Sequence, residues 1–160
     1  MKPIIVIYWS DFGGADDDFA TSIAIDGSGY VYLADYTNGS FEGLQQKGVT
    51  DAFLAKLDSA GTTLIWRKQL GGSGLDIAQS VSIDSSGNVY LGGYTYGSFE
   101  GMQNTGGNDA FVAKFTPVGA LGYSTLLGGN GNEKAEAIAV DSFGNAYINA
   151  VYQYHHLSPQ

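Results

Sequence analysis

The stretch IAIDGSGYVYL at residues 23–33 recurs as VSIDSSGNVYL at residues 81–91 and as IAVDSFGNAYI at residues 138–148. In each copy, alternating apolar and small or polar residues lie on both sides of an Asp-x-x-Gly segment. This pattern is typical of two antiparallel strands joined by a tight turn. The copies are spaced by 58 and then 57 residues. A fixed period of this length indicates a structural unit that is repeated along the chain.

Two further phrases recur with the same spacing. DAFLAKL at residues 51–57 returns as DAFVAKF at residues 109–115, and GSFEG at residues 39–43 returns unchanged at residues 97–101. Turn residues and period-2 alternation divide each unit into four strands, with one long loop after the second. The predicted strands of the first unit are residues 20–26, 30–37, 51–57 and 62–70.

The later units follow the same division. The second unit repeats the four strands between residues 78 and 127, whereas the third contains two strands, residues 135–141 and 145–152. VIYWSDFGG at residues 6–14 aligns with LIWRKQLGG at residues 64–72, so the chain opens with a fourth strand. Residues 1–160 therefore form one predicted domain. It divides into 4–14 as the fourth strand of a preceding unit, 15–72 and 73–129 as complete units, 130–154 as the first half of a unit and 155–160 as a tail.

Four antiparallel strands in each unit of this length are typical of a β-propeller blade. Simple alternation in the first strand places Ala20, Ser22 and Ala24 on one face and Ile23 and Ile25 on the other. The copies of the small face are Ala78, Ser80 and Ser82, then Ala135, Ala137 and Ala139. Small side chains let the innermost strands of neighbouring blades approach below the usual ~10 Å sheet spacing. The predicted fold is therefore all-β, a β-propeller-like array of about two and three-quarter blades that is not closed.

The text GGSGLDIAQSVSIDSSGNVYLGGYT at residues 71–95, followed by DAFVAKF at residues 109–115, resembles the bacterial SBBP (seven-bladed β-propeller) repeats. The first copy matches nearly as well, and the resemblance covers roughly residues 6–152. It implies a propeller scaffold of the kind found in large exported or surface-associated bacterial proteins, with an extracellular or cell-surface location and no established catalytic residues. The third unit departs from the pattern, because INAVYQYHHLSPQ at residues 148–160 replaces the expected GGYT loop.

Closed propellers have about four to eight blades, more than this chain supplies. Strand edges and apolar blade faces left exposed at either end would favour association. The favoured interpretation is a fragment of a longer gene product, with an open arc of blades and an oligomer of incomplete blades as the alternatives. The expected partners are therefore further blades, or a second copy that associates through exposed strand edges.

The charge of the chain excludes some classes of partner. The formal net charge is −9, which disfavours binding to nucleic-acid phosphates and to anionic membranes. The absence of cysteine excludes disulfides and thiolate chemistry. The N-terminal apolar run is too short for a signal peptide, and no run approaches the ~20 residues needed to span a membrane, so membrane insertion is not expected.

The long loops are the best binding candidates, because loops on rigid scaffolds commonly carry function. They share a phenylalanine, a glutamate and a glutamine that would serve a protein or glycan ligand if exposed. These residues are Phe41, Glu42 and Gln45 in the first loop, and Phe99, Glu100 and Gln103 in the second. The alternative is a loop that folds its own phenylalanine back over the end of the blade.

Metal binding has one weak candidate, the run Asp16, Asp17 and Asp18. The middle aspartate or a neighbour is expected to persist in the second unit. A solvated loop between blades is the competing interpretation, and calcium is the cation that such carboxylates would bind. The Asp-x-x-Gly segments are expected to be tight turns, because each offers only one carboxylate and a glycine suited to positive φ. No cofactor is expected.

The recurring Asp51 and Lys56, with their copies Asp109 and Lys114, favour a structural role, because catalysis would require one active site in every blade. The aspartate would accept hydrogen bonds from loop N–H groups, and the lysine would extend its ammonium into water. The expected function is a non-catalytic scaffold or a protein- or carbohydrate-binding module. The alternative is a propeller lyase or glycosidase whose site lies mostly in missing blades, which would need Arg67 and Glu136 in one cleft.

Overall fold

The computed structural model describes residues 16–41 and 43–153, in which all regular secondary structure is β-strand. The strands are β1 (Asp18–Ile25), β2 (Val31–Thr37), β3 (Asp51–Leu57), β4 (Leu64–Leu70), β5 (Asp76–Ile83), β6 (Val89–Thr95), β7 (Ser98–Phe99), β8 (Met102–Gln103), β9 (Asp109–Phe115), β10 (Leu121–Leu127), β11 (Asn132–Val140) and β12 (Ala146–Gln153). Over the same residues, no helix is long and apolar enough to cross a lipid bilayer.

The strands form antiparallel sheets in the predicted grouping. Two four-stranded sheets have the orders β1-β2-β3-β4 and β10-β9-β6-β5, and β11 pairs with β12 in a third sheet. β3 and β9 have the bounds predicted for them, and the other long strands differ from prediction by one to three residues. The short hairpin of β7 and β8, inside the second long loop, was not predicted. The fourth strand predicted for residues 4–14 and the tail at 155–160 lie outside the described residues.

The sheets stack face to face. The first core cluster joins Tyr32, Ala34 and Leu54 of the first sheet to residues of the second that include Val89 and Leu91. β5 packs against β1, β2 and β3, and β11 packs against β5, β6 and β9. The first strand of each unit therefore lies next to the preceding sheet, as in neighbouring blades of a propeller, and the three sheets do not close into a ring.

The first strand of each unit was predicted to carry only small residues on one face. This prediction is wrong for the first of those small residues in each unit. A β-bulge shifts the register between Ala78 and Ser80, so that Ala78 lies opposite Gly93 whereas Ser80 lies opposite Gly92. Because adjacent residues of a strand point to opposite faces, Ala78 shares a face with Val81 and not with Ser80. The same irregularity lies between Ala20 and Ser22 and between Ala135 and Ala137.

The serine after each bulge links neighbouring blades. The backbone N–H of Val81 donates to Ser22 Oγ at 3.0 Å, and the N–H of Ile138 donates to Ser80 Oγ at 3.2 Å. A small hydroxyl at this position both permits close approach and provides an acceptor for a buried backbone donor. Ala137 occupies the equivalent position of the third unit and has no hydroxyl to offer.

Candidate functional site: the Gly71 corner and the turn pocket

The phenylalanines of the two long loops are not available to a ligand. Phe41 stacks on Phe53 with ring centroids 5.0 Å apart, and Phe99 stacks on Phe111 at 4.0 Å. Both loop phenylalanines are fully buried. The hypothesis that these phenylalanines are exposed to a ligand is therefore wrong, and the competing interpretation, a loop that folds its own phenylalanine over the blade end, is confirmed. The physical reason is the gain from removing an aromatic ring from water.

The polar residues of the loops have different surroundings. Glu100 accepts a hydrogen bond from the Gly71 N–H at 3.0 Å and forms an ion pair with Lys47 of the first loop at 2.5 Å. Glu100 therefore joins the loop of one blade to the loop of the other. Gln45 and Gln103 are exposed and stay candidates for ligand contact, whereas Glu42 lies outside the described residues.

Buried carboxylates converge where the first blade passes into the second, a region defined as the Gly71 corner. Asp51 accepts hydrogen bonds from the backbone N–H groups of Lys47 at 2.7 Å and Gly48 at 3.0 Å. It also accepts one from Gln69 Nε2 at 2.8 Å. The predicted role of this aspartate, to accept loop N–H groups at the start of a strand, is confirmed.

Asp76 faces Asp51 across Gly71. A Cβ atom on Gly71 would lie 2.5 Å from Asp76 Oδ2 and 2.8 Å from Asp51 Oδ1, so a side chain cannot fit between the two carboxylates. The Gly72 N–H donates to Asp76 Oδ2 at 2.9 Å. The first glycine of the repeated pair therefore has a structural cause, which is the close approach of two acidic side chains to the backbone.

The second junction repeats this arrangement with a longer acid. The Gly129 N–H donates to Glu133 Oε2 at 3.0 Å, and a Cβ on Gly128 would collide with both Asp109 and Glu133. Asp109 and Glu133 are buried, as are Asp51 and Asp76. These carboxylates have no open access to a substrate in the described part of the chain, which favours a structural role.

The first-unit counterpart of Asp76 is Asp18, the third residue of the acidic run. Asp18 lies opposite Thr37 at the start of β1 as Asp76 lies opposite Thr95 at the start of β5. The acidic residue that persists is therefore the neighbour of the middle aspartate, which the prediction included, and not the middle aspartate itself. Asp16 and Asp17 are exposed. Within residues 16–41 and 43–153, no three or more His, Cys, Asp or Glu side chains are arranged to hold a metal ion, which does not support the calcium candidate.

Asp76 has the most perturbed carboxyl group of the corner. Burial raises its pKa to about 6. The Thr95 hydroxyl and the Gly72 N–H oppose this rise, and the carboxylates of Asp51 and Glu100 add to it. This environment therefore makes protonation of Asp76 easier in the folded state than in the unfolded chain.

We expect Asp76→Asn to stabilise the protein above pH 6. The pKa of Asp76 is raised from 3.8 to about 6 on folding, so the folded state binds more protons between these values. The stability that protonated Asp76 contributes is therefore lost as pH rises through this window, by at most about 3 kcal/mol. The asparagine variant should flatten this part of the profile and unfold at a higher temperature at neutral pH. Urea unfolding at a series of pH values measures both effects.

Asp58→Asn is the control for this prediction. Hydrogen bonds from the Thr62 and Thr63 N–H groups lower the pKa of Asp58, so its contribution is lost at the acidic end, as pH falls. A profile for Asp76→Asn that runs parallel to that of the unmodified protein between pH 4 and 7 would contradict the assignment.

The Asp-x-x-Gly segments are tight turns, as predicted. Asp84 Oδ1 accepts the backbone N–H groups of Ser86 and Asn88, both at 2.9 Å, and Gly87 has a φ of 80°. Asn88 Nδ2 also donates to Asp84 Oδ2 at 2.8 Å, and Asn145 and Asp141 repeat that bond at the same distance. Both oxygens of these aspartates are therefore used within their own turns.

The first unit differs, because Tyr30 replaces that asparagine. Lys56 Nζ lies 4.3 Å from the Tyr30 ring centroid and 3.7 Å from Asp26 Oδ2. The expectation that this lysine extends its ammonium into water is wrong for Lys56, of which only 8% is exposed. The feature of the sequence that indicates this difference is Tyr30, which replaces the asparagine found in the other two turns.

A cavity of about 540 Å³ lies beside Lys56, and we define it as the turn pocket. It is formed by the β1–β2 turn of the first blade together with two turns of the second. The residues that line it are Asp26, Gly27, Ser28, Tyr30, Lys56, Asp84, Ser85, Ser86, Gly87 and Pro117. The sequence did not indicate this pocket, because its walls come from segments far apart in the chain.

The residues that the enzyme alternative requires do not lie on neighbouring strands. Arg67 is on β4, the edge strand of the first sheet farthest from β1. Glu136 is at the bulge of β11, in the third sheet, with the second sheet between them in the stack. This separation does not support a shared catalytic cleft.

Comparison with known proteins relates the chain to a family of repeats and to a viral protein. The family model "SBBP: Beta-propeller repeat" matches residues 12–42, 65–100 and 122–148. An uncharacterized WD repeat-containing protein, L264 of Acanthamoeba polyphaga mimivirus, is 30% identical to the chain over 99 residues. This match covers 55% of the chain but 7% of the viral protein, so the chain spans a small part of that relative's length.

Proposed function

The chain belongs to the SBBP β-propeller repeat family, and from this premise we propose that it is a non-catalytic segment of a larger surface or secreted protein. Its blades serve as a scaffold and as a module that binds a protein or a carbohydrate. Propeller scaffolds hold loops and turns in fixed positions, which suits recognition without chemical change of the ligand.

The observation that supports this proposal best is the structural use of the recurring acidic residues. Asp51 and Asp76 accept hydrogen bonds from backbone N–H groups at the Gly71 corner and are buried. Asp84 caps its own turn. A catalytic acid must reach its substrate, and these carboxylates are occupied by the fold. The separation of Arg67 and Glu136 further weakens the case for a lyase or glycosidase.

The experiment applies the full chain to an array of glycans and measures binding and turnover on the same polysaccharides. We expect retention of the chain on part of the array, with no release of reducing ends or unsaturated products. Product formation above that of heat-denatured protein would contradict the non-catalytic role. Digestion of intact source cells with protease tests the location, because a surface protein should be degraded while cytoplasmic markers survive.

A further inference from the structure

We infer that the turn pocket is a binding site for a neutral saccharide. This inference rests on the proposed binding function and gives that function a place and a ligand class. The pocket lies at the end of the sheets that carries the β1–β2 and β5–β6 turns, whereas the long loops lie at the opposite end. It is therefore independent of the loop residues Gln45 and Gln103.

Lys56 supplies the first argument. Its side chain is nine-tenths buried, yet its ammonium lies 3.5 Å from Pro117 O and 3.7 Å from Asp26 Oδ2. Charged N–H···O hydrogen bonds are about 2.7–2.9 Å long, so neither contact satisfies a donor well. Lys56 is one of the residues that line the cavity, and its ammonium retains donor capacity for an oxygen atom placed there.

The charges around the pocket favour a neutral ligand over an anion. Asp26 already balances the charge of Lys56, and Asp84 adds a second carboxylate to the wall. An anionic ligand would meet a net negative surface. A hydroxyl oxygen accepts from the lysine without that repulsion, which points to a ligand rich in hydroxyl groups.

The remaining walls match such a ligand. Ser28, Ser85 and Ser86 border the cavity, and each hydroxyl is able both to donate and to accept hydrogen bonds. Tyr30 is 36% exposed and presents aromatic surface to the same space. A sugar ring combines hydroxyl groups with apolar C–H faces, and the volume falls within the range of about 300–1,000 Å³ that is common for small-molecule sites.

The next junction of the described chain lacks these features. Phe143 stands where Ser86 stands in the second unit, and Asn88 stands where Tyr30 stands in the first. Lys114 packs over the Tyr90 ring at 4.8 Å, and the Tyr90 hydroxyl donates to Gly144 O at 3.1 Å across that junction. The equivalent positions of the other units therefore supply substitutions that should abolish ligand binding at the turn pocket while keeping the turn intact.

The test uses substitutions taken from the other units. Ser86→Phe replaces a hydroxyl of the pocket wall by the aromatic side chain that the third unit carries at Phe143. Tyr30→Asn gives the first turn the asparagine that bonds to the turn aspartate in the other two units. Titration calorimetry and saturation-transfer NMR of the full chain, with a panel of neutral mono- and oligosaccharides, measure binding. We expect each variant to bind the best saccharide at least about tenfold more weakly than the unmodified chain. Phe143→Ser and Asn145→Tyr, the matched changes in the third unit, should leave binding unchanged.

Three outcomes would overturn the inference: no neutral saccharide binds at millimolar concentration, an acidic saccharide binds more tightly, or Ser86→Phe binds as the unmodified chain does. Thermal unfolding of each variant verifies folding, so that weaker binding is read only from folded protein. The third outcome would leave a carbohydrate-binding module with its site elsewhere. Turnover of a bound saccharide would instead refute the non-catalytic function while leaving the site in place.

Discussion

Replacement of Phe111 by alanine is expected to lower the free energy of unfolding by about 3–5 kcal/mol. Phe111 is fully buried in the cluster that joins the first two sheets, and its ring stacks on Phe99 at 4.0 Å. Truncation removes the apolar surface of the ring, leaves a cavity and deprives the loop of the ring on which Phe99 rests. Urea unfolding monitored by circular dichroism measures the loss.

Phe143→Ala is the matched control, because Phe143 is 89% exposed in a turn. A surface substitution of this kind should change stability by less than about 0.5 kcal/mol. Similar losses for the two variants would show that burial between the blades does not determine the stability of the chain. The Phe111 variant should also show faster amide exchange in residues 98–103, because the β7–β8 hairpin depends on the Phe99 contact.

The second large effect is expected for Asp51→Ala. This substitution removes the acceptor of the Lys47 and Gly48 N–H groups and one of the two acceptors of the Gln69 amide. The bond from Gln69 is buried and the two from the backbone are part-buried. Because a buried donor left unsatisfied costs about 1–3 kcal/mol, a total loss of about 3 kcal/mol is expected. Thermal and urea unfolding measure it, and Asp51→Asn should recover part of the loss because its amide oxygen still accepts.

Asp58→Ala is the control for burial. Asp58 also accepts two backbone N–H groups, from Thr62 at 2.8 Å and Thr63 at 3.1 Å, but in a turn open to solvent. Water replaces the lost acceptor there, so a much smaller loss is expected. An equal loss in the two variants would contradict the view that Asp51 matters because it is buried.

Much of the fold could be predicted from the sequence because the strand pattern is local. The bounds of β3 and the Asp-x-x-Gly turns follow from residues next to one another in the chain, and repetition of the pattern reduces ambiguity. The bulge between Ala78 and Ser80 could not be predicted from the alternation of small and branched residues. A bulge adds one residue to the strand and so turns Ala78 to the opposite face from Ser80, but the order of small and branched residues in the sequence still looks like simple alternation.

The candidate site was less predictable, because burial depends on contacts between distant segments. The sequence placed a phenylalanine in each long loop, but its stacking on a ring of the next strand decides whether a ligand can reach it. Lys56 provides a second case. Its copy Lys114 lies in a similar phrase of sequence, but the turn beside Lys56 carries Tyr30 where the second unit has Asn88, and Lys56 lies close to both Tyr30 and Asp26.

The sequence by itself determined the repeat, the four-stranded unit, the turn chemistry and the family, because each depends on residue types at short or regular spacing. Only the tertiary structure decided which faces meet, which carboxylates face each other across Gly71 and where a pocket opens beside Lys56. These features arise from the stacking of one blade on the next. That stacking brings together residues from separate units, and their proximity has no local signature in the chain.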